Sequence, residues 1–379
     1  MPDIIGTNGN DNITETVSAS TIRALAGDDV VVITGDDNVI EGGPDDDELT
    51  AIGDRNLLLG QLGSDLLRAD GEDNTLRGGG DDDNLQASGN RHTLLGNDGD
   101  DVLDGAATAI QGEGSGAAAL ASQILDGGGG DDRLTASATA EAFDDPSDAV
   151  ASNTLSGGSG NDELDAFAEA RASFDDFIST AASNTLDGGT GNDRLNATAI
   201  AAGSIEVESI AENTLSGGSG NDHLVADAVA SAQGGSDFSG NATASNTLAG
   251  GVGNDHLSAT ATSTTTVEST GGATNSLDGG AGHDVLTASA NALVDEDRAR
   301  ASNTLFGRDG DDQLIADATA NTILTFGRSS AATNTLDGGA GNDVLVASGE
   351  SVFSFDESFD DPTSGRSSIA LQEAAATTS

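Results

Sequence analysis

The chain has no cysteine, no tryptophan and no tyrosine. Lysine is absent too, so all 13 bases among its 379 residues are arginine. Each absence removes a class of function. Without cysteine there is no disulfide framework, no zinc-thiolate site and no thiol catalysis. With 65 acids against those 13 bases, the formal charge is −52. A surface so negative repels phosphate backbones and anionic lipid, so no nucleic acid is expected as a partner. No apolar run approaches the ~18 residues of a membrane-spanning helix, so no membrane insertion is expected.

What is abundant is glycine, at 53 residues, and aspartate, which supplies 49 of the 65 acids. Two readings fit that composition. One is a disordered chain, since high charge with few aromatics is its signature. The other is a fold whose charge is neutralised by bound cations. Aspartate favours the second, being a short carboxylate suited to turns and to hard cations. The order of the residues decides.

The segment Gly157-Gly158-Ser159-Gly160-Asn161-Asp162-Glu163-Leu164 recurs at Gly188 to Leu195, Gly217 to Leu224, Gly250 to Leu257, Gly279 to Leu286 and Gly338 to Leu345. Looser copies sit at Gly127 to Leu134 and Gly307 to Leu314. The aspartate alone recurs as Asp11, Asp29, Asp47, Asp65, Asp83, Asp101, Asp132, Asp162, Asp193, Asp222, Asp255, Asp284, Asp312 and Asp343. Its first five steps are 18 residues each, and the later ones are 28 to 33. Such a period predicts a repeat architecture. Midway along four of the short steps, at Asn38, Asn56, Asn74 and His92, lies a second half-motif. Both halves carry an apolar residue two positions on, as in Leu49 after Asp47 and Leu58 after Asn56. Each half reads as a tight turn and a very short strand, and two halves make one coil of a flattened solenoid with two parallel sheets.

The longer steps insert residues always after the Asp-x-Leu strand and before the next Asn-Thr-Leu. The insertions alternate with period two. Ala166, Ala168, Ala170 and Ala172 share a face, as do Ala197, Ala199 and Ala201, and Ala226, Ala228 and Ala230. On the return, Ile205, Val207, Ser209, Ala211, Asn213 and Leu215 share one. This predicts strands lengthened at one edge of the coil, with small alanines keeping the sheets close. Three regions follow: short coils at 1–105, long coils at 106–349 and a distinct tail at 350–379.

At the aspartate edge, glycines permit positive φ and close approach of carbonyls, and stacked turns align those carbonyls with carboxylates. Calcium takes six to eight oxygens of these two kinds. Gly-Gly-x-Gly-x-Asp-x-Leu-x resembles the RTX, or haemolysin-type, calcium-binding nonapeptide, over about Gly6 to Ala347. The resemblance implies a right-handed parallel β-roll, here of about 14 coils. It also implies calcium held between stacked turns and type I export to the extracellular space without a cleavable signal peptide. On that pattern the fourteen aspartates give side-chain oxygens. The glycines Gly158, Gly160, Gly189, Gly191, Gly218, Gly220, Gly251, Gly253, Gly280, Gly282, Gly339 and Gly341 give carbonyls. Roughly ten to thirteen Ca²⁺ are expected from thirteen inter-turn gaps.

The chain departs from the family's pattern at its second edge. Asn38, Asn56, Asn74, Asn153, Asn184, Asn213, Asn246, Asn275, Asn303 and Asn334 stand where a standard roll repeats the aspartate, with His92 and Gln123 in two more turns. A neutral amide column is a poor calcium edge and a good hydrogen-bonded ladder, so a one-sided calcium roll is expected. Weak turns are expected at Ala24-Leu25-Ala26-Gly27, Gly43-Pro44-Asp45 and Gly60-Gln61-Leu62-Gly63. The acids at motif position five, Asp28, Asp46, Asp82, Asp100, Asp131 and Asp311, are read as solvated rather than ligating.

No enzyme is expected: there is no His-Glu-x-x-His and no Gly-x-Ser-x-Gly. His223 and His256 occupy one outward slot in adjacent turns. A metal pair is one reading of them, and two exposed slot-fillers is the preferred one. The tail, with Phe353, Phe355 and Phe359 before Asp360-Asp361-Pro362, reads as a cap, an export signal, or both. The functional expectation is a secreted structural, surface or matrix protein that folds on calcium, by self-association or with a cell-surface or matrix partner. A calcium-dependent adhesin or a glycan- or ice-binding module is the alternative. The irregular third position (Ser159, Thr190, Ser219, Val252, Ala281, Asp309, Ala340) argues against ice, and the insertions with Phe143 and Phe174 favour a glycan or protein.

Overall fold

One leucine in each half-coil is enough to wind the chain, because every turn then presents an apolar side chain to the same axis. The computed structural model describes residues 3–111, 118–143, 147–173, 178–205, 207–233, 240–266, 269–295, 297–324, 330–355 and 366–372. Among the described residues all regular structure is strand, 29 in number, with no helix. Successive strands alternate between two sheets, and each pairs in parallel with the strand two places along the chain. The first sheet runs in fifteen strands from Asp3–Ile5 to Arg366–Gln372, and the second in fourteen from Asn12–Thr16 to Val344–Phe355. The fold is an all-β parallel solenoid. Of the tail, Phe359 and Asp360-Asp361-Pro362 lie outside the described residues, as does Phe174 of the insertions.

Register follows the repeat. Leu85 pairs with Leu103, Leu103 with Leu134, and Leu134 with Leu164. Strands are three to seven residues long as far as His92–Asp98, and ten to thirteen from Val102–Gln111 to Val344–Phe355. The lengthening is all at one side of the coil, as the alternating alanines require.

It creates a second core. The first core is built on a column of isoleucine, valine and leucine, from Ile22 through Leu49, Leu134 and Leu224 to Leu336, all fully buried, with alanines such as Ala51 and Ala136 packed in it. The second is almost wholly alanine, including Ala138, Ala168, Ala199, Ala228 and Ala261, with Val207 and Val294. Burial contributes about 0.8 kcal/mol per methylene-sized group and ~1.5–3 kcal/mol for a whole leucine side chain. The alanine core therefore leans more heavily on hydrogen bonds.

The asparagine column supplies them, and here the structure corrects the sequence reading. In the short coils Asn38, Asn56 and Asn74 do sit at the second edge, just before a strand. From Asn153 onward the column lies inside strands such as Ala149–Ser159 and Val207–Ser219, because the edge has moved outward past it. Asn153 stands between Ala151 of the alanine core and Leu155 of the leucine core, so the column is a buried polar seam between two apolar ones. Each amide is used along the axis and across the coil. Asn213 Nδ2 donates to Asn246 Oδ1 at 2.9 Å and to the Asp227 carbonyl of the facing sheet at 2.8 Å. The same pair of bonds repeats from Asn153 to Asn303. In the short coils the amide turns round, and Asn56 Oδ1 accepts the Asn38 N–H at 2.9 Å.

The second edge of the short coils needs one left-handed residue before each ladder position. Asp37, Arg55, Asp73 and Arg91 fill it, with φ of 57° to 60°. Four like charges stacked coil on coil would repel. Alternation turns them into ion pairs, Arg55 Nε to Asp37 at 2.8 Å and Arg91 Nε to Asp73 at 2.7 Å. These pairs are exposed and contribute little individually.

Candidate metal centre

The turn before each second-sheet strand delivers the motif aspartate to the inward position just ahead of that strand. Its side chain consequently enters the coil instead of projecting into solvent. Asp29, Asp162 and Asp222 are 1–2 % exposed, and the interior members of the column are all buried. Oδ1 holds the coils in register. Asp193 Oδ1 accepts the Asp162 N–H at 2.8 Å, and the same bond links every consecutive pair from Asp11/Asp29 to Asp312/Asp343. Oδ2 has no such role. In thirteen of the fourteen, Asp29 through Asp343, it is buried with no hydrogen-bond partner. Asp11 is the exception, its Oδ2 accepting from Thr7.

A buried carboxylate oxygen without a partner is costly unless a cation meets it. Burial accordingly pushes these carboxyls upward, with neighbouring carboxylates adding to the push and the backbone N–H opposing it. Asp47, Asp101, Asp193, Asp255 and Asp284 rise to about 6, Asp65 and Asp132 to about 7, and Asp83 to about 8. Asp29, Asp162, Asp222 and Asp312 are raised for the same first reason.

The glycines divide by position. At the second position Gly158, Gly189, Gly218, Gly251, Gly280 and Gly339 have φ of 86° to 111°. At the fourth Gly160, Gly191, Gly220, Gly253, Gly282 and Gly341 have φ of 133° to 150°. Both sets are left-handed and stacked. The Gly158 carbonyl oxygen would lie 2.1 Å from a Cβ on Gly189, and that of Gly160 1.5 Å from one on Gly191. The first glycine has no positive φ and a different reason to exist. A Cβ on Gly188 would lie 2.5 Å from Asp193 Oδ2 and 2.7 Å from the Gly217 carbonyl oxygen. Gly217 and Gly250 repeat that arrangement with Asp222 and Asp255. The space beside the first glycine is thus lined by the free carboxylate oxygen of its own coil and a carbonyl of the next.

The motif pattern assigns ligand roles to the second and fourth glycines and passes over this first one. A signal for it is present in the sequence. Gly60, Gly96 and Gly307 are kept in turns whose second position is Gln61, Asn97 or Arg308. Those three, and Leu25, adopt φ of 83° to 93° where glycine usually stands. Ala24 puts a methyl at the first position of the turn leading to Asp29. The position-five acids are also more than solvated. Asp131 Oδ1 accepts the Asn161 N–H at 2.7 Å, and Asp100 Oδ1 the Asp131 N–H at 2.7 Å, forming an outer ladder.

The donor set is all oxygen, charged once per coil, and includes no cluster of three or more His, Cys, Asp or Glu side chains among the described residues. Hard oxygens from backbone and single carboxylates suit calcium and not the transition metals. The residues present therefore fit the ion, with Asp Oδ2 and turn carbonyls as the groups that would hold it.

Fold and edge together define a calcium-binding β-roll. The family model for the RTX calcium-binding nonapeptide repeat matches at residues 16–49, 32–67, 59–90, 93–108, 122–139, 151–168, 174–199, 211–228, 242–261, 269–292, 300–324 and 329–350, and the chain belongs to that family. No curated protein matches it.

Two outcomes follow from the two columns. Asp222→Ala should remove about one bound calcium and raise the calcium midpoint of folding about threefold or more. Asn213→Ala should leave the ion count unchanged while lowering the thermal stability of the calcium-loaded protein, by about 1–3 kcal/mol for the buried groups it unpairs. Calcium titration with ion counting checks both, and loss of an ion from the asparagine variant alone would reverse the assignment. A third outcome concerns pH. A raised carboxyl pKa means that the folded, metal-free roll holds protons the unfolded chain has released. That stabilisation is complete below the ordinary value of 3.8 and is lost as pH rises through about 6 to 8. Dilute calcium-stripped protein should therefore gain β-sheet circular dichroism as pH falls from about 8 toward 5. A spectrum that stays disordered over that range would contradict it.

Proposed function

We propose that the chain is a secreted structural component, a rod that calcium folds and rigidifies outside the cell, in a surface layer or matrix. The observation that carries the reading is the file of thirteen buried, unpartnered aspartate oxygens. A chain of charge −52 cannot close such a file on itself without cations. Extracellular calcium modules work at about 10⁻⁴–10⁻³ M, well above cytosolic sensor concentrations, so folding would follow export. About ten to thirteen ions fill the gaps in this reading. Circular dichroism in chelator and then in millimolar calcium tests it. The expected result is a disordered spectrum that becomes β-rich, and a β-rich spectrum in chelator at neutral pH, unchanged by calcium, would overturn it.

One observation favours the alternative, a module that binds an ordered surface. The outer face of the first sheet carries two in-register ranks of hydroxyls, Ser152/Thr154, Ser183/Thr185, Ser245/Thr247, Ser302/Thr304 and Thr333/Thr335, broken at Glu212. The matching rows of the second sheet are chemically mixed, as in Phe167, Thr198 and Asp227. On this reading calcium-loaded protein is incorporated at a growing ice front, and its exclusion there would remove ice as the surface.

A further inference from the structure

His223 and His256 each follow a column aspartate, so alternation sends the aspartate inward and the histidine outward. They are register partners on the adjacent parallel strands His223–Gln233 and His256–Thr266. Their rings meet edge to face at 61°, with centroids 5.0 Å apart. His256 is exposed and His223 half-buried. His223 Nδ1 is sealed from solvent without a hydrogen-bond partner, which leaves Nε2 as its outward nitrogen. Arg194 and Val285 flank the pair along the row, and neither competes as a ligand.

We propose that His223 and His256 together hold one borderline transition-metal dication, of the class of Zn²⁺, Ni²⁺ or Cu²⁺, on the outer face of the roll. Two neutral imidazoles on adjacent strands form a nitrogen chelate, which calcium disfavours and these ions prefer. No third His, Cys, Asp or Glu completes a cluster there among the described residues, so water fills the remaining positions and the ion is exchangeable. The site is chemically independent of the aspartate file, because its ligands lie on the opposite face of the same strands. It is nonetheless linked to folding. The two histidines are 33 residues apart in sequence and adjacent only in the folded register. An ion bound to both binds the folded chain alone, so it lowers the calcium needed to fold it.

The probe is Ni²⁺, titrated calorimetrically into the full chain at saturating calcium. Wild type should bind one Ni²⁺ above any carboxylate background, with affinity reduced at least about tenfold in His223→Asn and in His256→Asn, and unchanged on His283→Asn at the outer-ladder histidine whose Nδ1 accepts the Asp311 N–H. Folding of each variant is checked by its calcium midpoint without Ni²⁺, and the exposed His256 variant carries the test if His223→Asn folds poorly. Ni²⁺ should also lower the calcium midpoint of wild type but not of the His256 variant. Equal Ni²⁺ affinity in wild type and the His256 variant, or loss of binding in His283→Asn instead, would overturn the proposal.

Discussion

A single carboxylate with two different oxygens organises this molecule. One oxygen of each column aspartate is committed to the main chain of the preceding coil, and that bond sets the stacking. From Asp29 to Asp343 the other is committed to nothing in the protein. Stacking the coils is therefore what brings the free oxygens into file, and the file resists stacking until a cation neutralises it. On the proposed reading folding and metal binding are coupled at neutral pH, since the unfolded chain has no site and the metal-free roll has an uncompensated one.

The rest of the cross-section follows from tolerating that edge. Beside the aspartates lies a leucine core wide enough to keep the sheets apart by a full side chain, and beyond it, in the long coils, an alanine core. The asparagine seam allows the two to coexist. Its amides bond along the axis and across to the facing sheet, so the coil is pinned at mid-width as well as at the aspartate turn. An apolar residue at Asn213 would leave the buried Asn246 Oδ1 without its donor. Charge is used on one side of the leucine column and neutral amides on the other, and the charged side is the one whose oxygens call for a cation.

Much of this is legible in the residues. The aspartate spacing gives the coil, the alternating alanines give the longer strands, and the change from Asp to Asn separates a charged column from a neutral ladder. Two things are not legible, and for a third, the first glycine of the motif, the sequence shows that it is kept but not why. The position of Asn153 within the coil depends on where the edge lies once strands lengthen, and spacing from Leu155 is the same whether the residue is at a turn or inside a strand. The first glycine of the motif is needed because a neighbouring carboxylate occupies its Cβ space, a tertiary reason that no local conformational preference reveals. The bond from Asp131 to the Asn161 main chain spans 30 residues and forms only when coils stack.

The central claim is that the cations lie in one file, beside the free aspartate oxygens. Calcium anomalous diffraction from crystals of the loaded protein tests this directly. The account predicts a single row of anomalous peaks along the aspartate edge, each within bonding distance of an Asp Oδ2, with none in the asparagine seam. A second row of peaks along Asn153 to Asn334, or an aspartate edge without peaks, would contradict it.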